Sequence, residues 1–156
     1  VSRTSTRREM SGRSAGGGKG LALASQAALE RMDDLNEPEG VSFDALIRSD
    51  EVSAAAAFRA HARALASRLS AEEDELAKSA EPMTPAILHA RASWFYALAA
   101  RVGLPLDAET SASVRALARA LAMRRSKVTS SRDPSLPHIQ VCLAVAGKYF
   151  GQFSEE

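Results

Sequence analysis

Apolar residues recur at helical spacing through most of the chain. Five stretches place them three or four positions apart, which puts them on one side of a helix. The clearest example comprises Phe58, Ala62, Leu65 and Leu69. No stretch alternates strictly between apolar and polar residues, as a half-buried strand does. The pattern therefore predicts an all-α protein.

Capping residues and prolines mark where these helices begin. Ser49 or Asp50, Thr84 and Asp107 are N-cap types, and Thr84 precedes a proline at the first helical position. Ser70 and Glu73 have the spacing of a capping box, which predicts a further short helix. The predicted helices cover residues 21–35, a short turn at 42–47, and then 50–69, 70–78, 84–102, 107–125 and 137–150.

Composition changes sharply after residue 20. Residues 1–20 contain five of the nine glycines and almost no large apolar side chains, so they cannot bury enough surface to offset the entropy of ordering. We predict a basic, Gly-rich N-terminal arm at 1–20, followed by a single all-α domain at 21–156. The expected architecture is an irregular bundle of five to six helices with this extended arm.

Two apolar features point outward from the predicted bundle. Apolar residues of the last helix, from Ile139 to Phe150, occupy nearly all of its sides, so that helix is either central or covered by a partner. Trp94, Phe95 and Tyr96 are consecutive, and neighbouring helical positions point about 100° apart. At least one ring must therefore face outward, and Tyr96 is the best placed.

Composition offers little material for catalysis. Alanine accounts for 31 of 156 residues, while Val and Ile together account for 11. The single Cys142 excludes an intramolecular disulfide and a Cys-based zinc cluster, and the three histidines lack metal-ligand spacing in sequence. We predict no enzyme activity, no cofactor and no metal. We also expect a soluble chain with no membrane span and no secretory signal.

Two glycine motifs in the arm resemble catalytic loops without their context. Residues 12–16 match G-x-S-x-G, but no strand precedes them to form a nucleophile elbow. Residues 16–20 end in Gly-Lys-Gly, whereas a phosphate-binding loop needs Ser or Thr after the lysine. Both segments favour a flexible hinge.

The near-neutral total charge of +1 conceals a segregation along the chain. The net charges are +4 for residues 1–20, −7 for 21–81, +5 for 82–133 and −1 for 134–156. Two alternatives stay open: the acidic and basic halves pair between subunits of an assembly, or they neutralise each other within one monomer.

The basic groups form a candidate site for nucleic acid. Arginine and lysine neutralise backbone phosphates without reading sequence, although basic residues at the end of a helix also favour its dipole. The predicted contact residues are Arg3, Arg7, Arg8, Arg13 and Lys19 in the arm, with Arg115, Arg119, Arg124, Arg125, Lys127 and Arg132 in the second half. We call the second group the basic strip.

These features favour a non-enzymatic, nucleic-acid-binding assembly subunit of the coat or nucleocapsid kind. In size and class the chain is similar to small all-helical coat proteins of rod-like and filamentous viruses. This interpretation predicts RNA or DNA as a partner, a homo-oligomer, and a location in a virion or the cytoplasm. The alternative is a helical protein–protein adaptor whose last helix docks a partner and which ignores nucleic acid.

Overall fold

A computed structural model describes residues 43–72 and 82–153, and these residues form five α-helices. The last helix continues into a π-helical turn. The elements are α1 (Phe43–Arg48), α2 (Glu51–Ala71), α3 (Pro85–Ala99), α4 (Ala108–Lys127), α5 (Leu136–Ala144) and the π turn (Val145–Tyr149). The described part of the chain is an irregular helical bundle without strands, so the predicted fold class is confirmed.

The three long helices begin where their N-caps predict. The Asp50 carboxylate accepts a hydrogen bond from the Ser53 amide at 2.8 Å, and Thr84 accepts one from the Ile87 amide at 3.3 Å. The Asp107 carboxylate accepts bonds from two amides and from the Thr110 hydroxyl, the latter at 2.6 Å. Each cap satisfies amides that have no partner inside the helix.

The core lies where α2 crosses α4, with α3 and α5 closing the sides. Phe58 of α2 is fully buried at its centre. Its ring stacks on Phe95 at a centroid distance of 5.1 Å and lies 5.2 Å from Phe150, which follows the π turn. These three rings join the middle of the bundle to its C-terminal end.

Ion pairs cover one side of the α2–α4 contact. Arg63 contacts Glu109 at 2.9 Å, and Arg59 contacts Glu109 at 3.1 Å and Asp107 at 3.7 Å. These pairs are intramolecular, but the basic partners lie in the acidic block and the acidic partners in the basic block. The ion pairs on this side of the contact therefore run opposite to the net charges of the two blocks.

Two predicted helix boundaries are wrong or untested. Ser70 lies inside α2, which continues to Ala71, so it is not the cap of a new helix. The helix predicted at 21–35, the arm at 1–20 and the rest of the acidic helix lie outside the described residues. The division into an arm and one domain stays a prediction.

The C-terminal helix changes its hydrogen bonding near its end. The Phe150 amide donates to the Val145 carbonyl at 3.1 Å, the i to i+5 bond of a π-helix. Gly147 in this turn is buried beneath the ring of Phe153, and a Cβ at position 147 would overlap that ring. The close approach therefore depends on glycine.

Membrane insertion has no support in the described helices. None of them is both long and apolar enough to cross a bilayer.

Candidate functional site

An apolar surface lies between α3 and the C-terminal helical segment. Tyr96 of α3 is 60% exposed, Val141 of α5 is 46% exposed and Tyr149 of the π turn is 53% exposed. Ala100 and Ala144 lie between these large side chains and keep the surface concave. We call these five residues the apolar face.

Two adjoining cavities open on the apolar face, and both are lined by Tyr96 and Ala100. One has a volume of about 670 Å³ and reaches Val141 and Leu46 of α1. The other has a volume of about 660 Å³ and reaches Tyr149 and Lys148. Alanines line both cavities beside the larger side chains, and we call the depression formed by the two cavities the groove.

A pair of histidines closes one end of this groove. His89 of α3 and His138 of α5 have their Nδ1 atoms 3.4 Å apart and their ring centroids 4.5 Å apart. Partial burial lowers the pKa of His138 below its usual value, and the charge of His89 lowers it further. The two Nδ1 atoms are within hydrogen-bond distance, so an Nδ1–H of one ring can donate to the Nδ1 of the other.

The charge around the apolar face is sparse. Lys148 lines one cavity, and the described residues that line the two cavities include no aspartate or glutamate. An apolar surface with one cation at its edge favours a ligand that combines apolar side chains with a carboxylate.

The residues of the basic strip differ in their contacts and exposure. Arg124 is held in the fold, because its guanidinium pairs with the Glu72 carboxylate and donates to the Met83 carbonyl at 3.1 Å. Arg115 donates to the Gln152 side chain at 3.3 Å. The other members are exposed on α4 and the following loop: Arg119, Arg125, Lys127 and Arg132.

Some of the predicted phosphate-contact residues also have partners within the fold. Arg124 is already engaged in a structural contact, whereas Arg115 and Arg119 line a small concave surface together with Gln152. The arm residues Arg3, Arg7, Arg8, Arg13 and Lys19 lie outside the described residues. Contact with nucleic acid stays a prediction.

Charge reversal at Arg115 and Arg119 tests that prediction directly. If both contact phosphates, the double change to Glu reduces the slope of log affinity against log salt by about two units. The measurement is filter binding of RNA and DNA across a salt series, with Arg48→Glu on α1 as a control away from the strip. An unchanged slope would remove these two residues from any phosphate contact.

Reactive side chains elsewhere in the described structure are buried. Burial raises the pKa of the Cys142 thiol to about 12, so the thiolate is not available. His61 is also buried, and its Nε2 lies 3.0 Å from the Arg91 carbonyl. Burial lowers the pKa of His61 to about 4, which suits a structural role.

Sequence reasoning missed the histidine pair and most of the apolar face. His89 and His138 are 49 positions apart, and only the packing of α3 on α5 brings them together. The outward position of Tyr96 was predicted and is confirmed. The excess apolar residues of the last helix were the other available signal, since Val141 and Tyr149 belong to that excess.

Sequence comparisons find a matching protein family and a relative. The family model described as "Survival motor neuron (SMN) interacting protein 1 (SIP1)" matches residues 6–153. A relative, Gem-associated protein 2 of Dictyostelium discoideum, is 37% identical over 62 residues, which is 40% of this chain and 19% of that protein. The aligned segment thus spans about a fifth of the relative's length. No solved structure matches the chain significantly.

The family match overturns the predicted coat or nucleocapsid function and the predicted location in a virion. Proteins that bind other proteins share with coat subunits the features on which that prediction rested. These features are few reactive side chains, segregated charge and an exposed apolar helix. Composition alone does not separate these two classes of protein.

Proposed function

Because the chain belongs to the survival motor neuron interacting protein 1 (SIP1) family, we propose that it is a helical adaptor that binds a survival motor neuron protein. The apolar face supplies the docking surface. The observation that carries this proposal is the groove between α3 and α5, which is flanked by Tyr96, Val141 and Tyr149.

The shape of the groove favours a helix as the bound segment. α3 and α5 pack against each other, and their outer surfaces leave room for a third helix to lie in the depression between them. α3 has 15 residues, which corresponds to a length of about 22 Å. An amphipathic helix of three or four turns would cover that length with its apolar side.

The residues of the apolar face suit the centre of a protein interface. Tyrosine gives a large contact area together with a hydroxyl that bonds at the rim, and it is enriched at binding hot spots. Lys148 at the edge of the face would pair with a carboxylate at the border of the bound helix. The proposed ligand is therefore an acidic, amphipathic helix of the survival motor neuron protein.

Glutamate substitutions at Tyr96 and Val141 test the proposal. Each places a carboxylate where the partner excludes water and where the proposed partner is itself acidic, so each single change weakens binding at least tenfold, or about 1.4 kcal/mol. The measurement is isothermal titration calorimetry of purified survival motor neuron protein into this chain. Both positions are exposed in the free protein, so the variants are expected to keep the fold.

Met123→Glu is the matched control. Met123 is a 52% exposed apolar residue of α4, and its substitution changes charge and exposed apolar area in the same way at a position that lines neither cavity. Its affinity should equal that of the unmodified protein. Full affinity in both Tyr96→Glu and Val141→Glu would place the partner elsewhere.

We also propose that the protein acts without catalysis. The family is described by the protein with which its members interact, and this chain's thiol and one of its imidazoles are buried in the core. The other two imidazoles, those of His89 and His138, lie together near the surface.

A further inference from the structure

We infer that His89 and His138 form a binding site for one divalent transition-metal ion at the end of the groove. The inference concerns the free protein and does not depend on the proposed partner. It rests on the separation of two imidazole nitrogens and on the contact between the two helices that carry them.

The separation of the two Nδ1 atoms matches that of neighbouring metal ligands. They are 3.4 Å apart. Zinc–imidazole bonds of 2.0–2.1 Å at tetrahedral angles place two ligand nitrogens about 3.3–3.4 Å apart. One ion therefore fits between the two atoms without a change in the spacing of the helices.

The two imidazole rings belong to helices that pack against each other. His89 lies in the second turn of α3 and His138 in the first turn of α5, and these helices contact each other. His89 is exposed and His138 is partly exposed, so small rotations of the rings would direct both lone pairs at a common point. The rings are already inclined by 54° rather than parallel.

The electrostatic setting also favours a cation here. The described residues that line the adjoining cavity include no lysine or arginine to repel an ion. Two imidazoles leave two tetrahedral positions to water.

Imidazole ligands indicate which ions the site would hold. Nitrogen ligands of this type suit Zn²⁺, Ni²⁺ and Cu²⁺, and affinity follows the general order in which Cu²⁺ binds most tightly. Mg²⁺ and Ca²⁺ prefer oxygen ligands, so they should not compete.

Calorimetric titration of ZnCl₂, NiCl₂ and CuCl₂ into the full chain, carrying no affinity tag, tests the inference. One ion per chain is expected, with Cu²⁺ bound most tightly and MgCl₂ giving no binding. His89→Gln and His138→Gln should each weaken Cu²⁺ binding at least tenfold. Circular dichroism of each variant reports whether the helices are retained.

Two controls make the outcome decisive. Ser93→Ala alters the same cavity without removing a nitrogen ligand, so it should bind Cu²⁺ as the unmodified chain does. The double variant His89→Gln/His138→Gln keeps His61, the remaining histidine of the sequence. It therefore measures Cu²⁺ binding elsewhere in the chain. Equal Cu²⁺ affinity in the unmodified chain and in His89→Gln would overturn the inference, as would the absence of binding to any of the three ions.

Discussion

Replacement of Phe58 by alanine lowers the free energy of unfolding by about 3–5 kcal/mol, the usual cost of deleting a buried aromatic ring. Phe58 is fully buried and contacts the rings of Phe95 and Phe150, so three helical segments lose a shared contact at once. The substitution leaves a cavity between α2 and its neighbours. The capped starts of α2 and α4 and the ion pairs between them also hold these helices in place, so they move little to fill the cavity. Urea denaturation followed by circular dichroism measures the change.

Phe58→Leu is the graded control for this prediction. Leucine fills much of the same volume, so its cost should be well below that of alanine. Tyr96→Ala removes an aromatic ring of similar size from the surface and should leave the free energy of unfolding nearly unchanged. A cost for Phe58→Ala no larger than that for Tyr96→Ala would show that the aromatic cluster does not stabilise the bundle.

Acid destabilises this protein through His61. Burial disfavours the charged ring and lowers its pKa in the folded state to about 4. The hydrogen bond to the Arg91 carbonyl raises the pKa, and the charge of the Arg91 side chain lowers it. The unfolded value is about 6.5. As the pH falls below about 6.5, His61 becomes protonated in the unfolded chain. In the folded chain it stays neutral until about pH 4. The free energy of unfolding should therefore fall by about 3 kcal/mol across that window.

Urea denaturation at pH 7, 5.5 and 4 measures this loss. His61→Gln removes the titrating group while retaining an amide N–H that can donate to the Arg91 carbonyl, so its stability should vary much less across the window. His138→Gln is the matched control, because His138 lies near the surface and its substitution should leave most of the pH dependence in place. A slope that is the same in His61→Gln and the unmodified chain would refute the assignment to His61.

The helices were predictable because their signals are local. Asp50, Thr84 and Asp107 each satisfy amides two or three residues away, so the same atoms that mark a helix start in sequence form the cap in the structure. The buried stripe from Phe58 to Leu69 follows from helical geometry alone. Ser70 misled for the same reason: its spacing to Glu73 satisfies a local rule, but the packing of α2 extends the helix past it.

The candidate site was predictable only in part, because it depends on which helices meet. Tyr96 faces outward for a reason visible in sequence, since three consecutive rings cannot share one side of a helix. The pairing of His89 with His138 requires α3 and α5 to be neighbours, and no periodicity within either helix contains that information. Arg124 is a further example, because its contact with Glu72 spans 52 positions and no local pattern indicates it.

The packing of Phe153 over Gly147 couples two positions that are six residues apart. Any side chain larger than glycine at 147 would collide with the aromatic ring, so a substitution there is tolerated only after the ring has been lost or moved. The order in which the two positions can change during evolution is therefore constrained. Neutral drift at one site is conditional on the state of the other, although each residue taken alone resembles an ordinary surface or helix position.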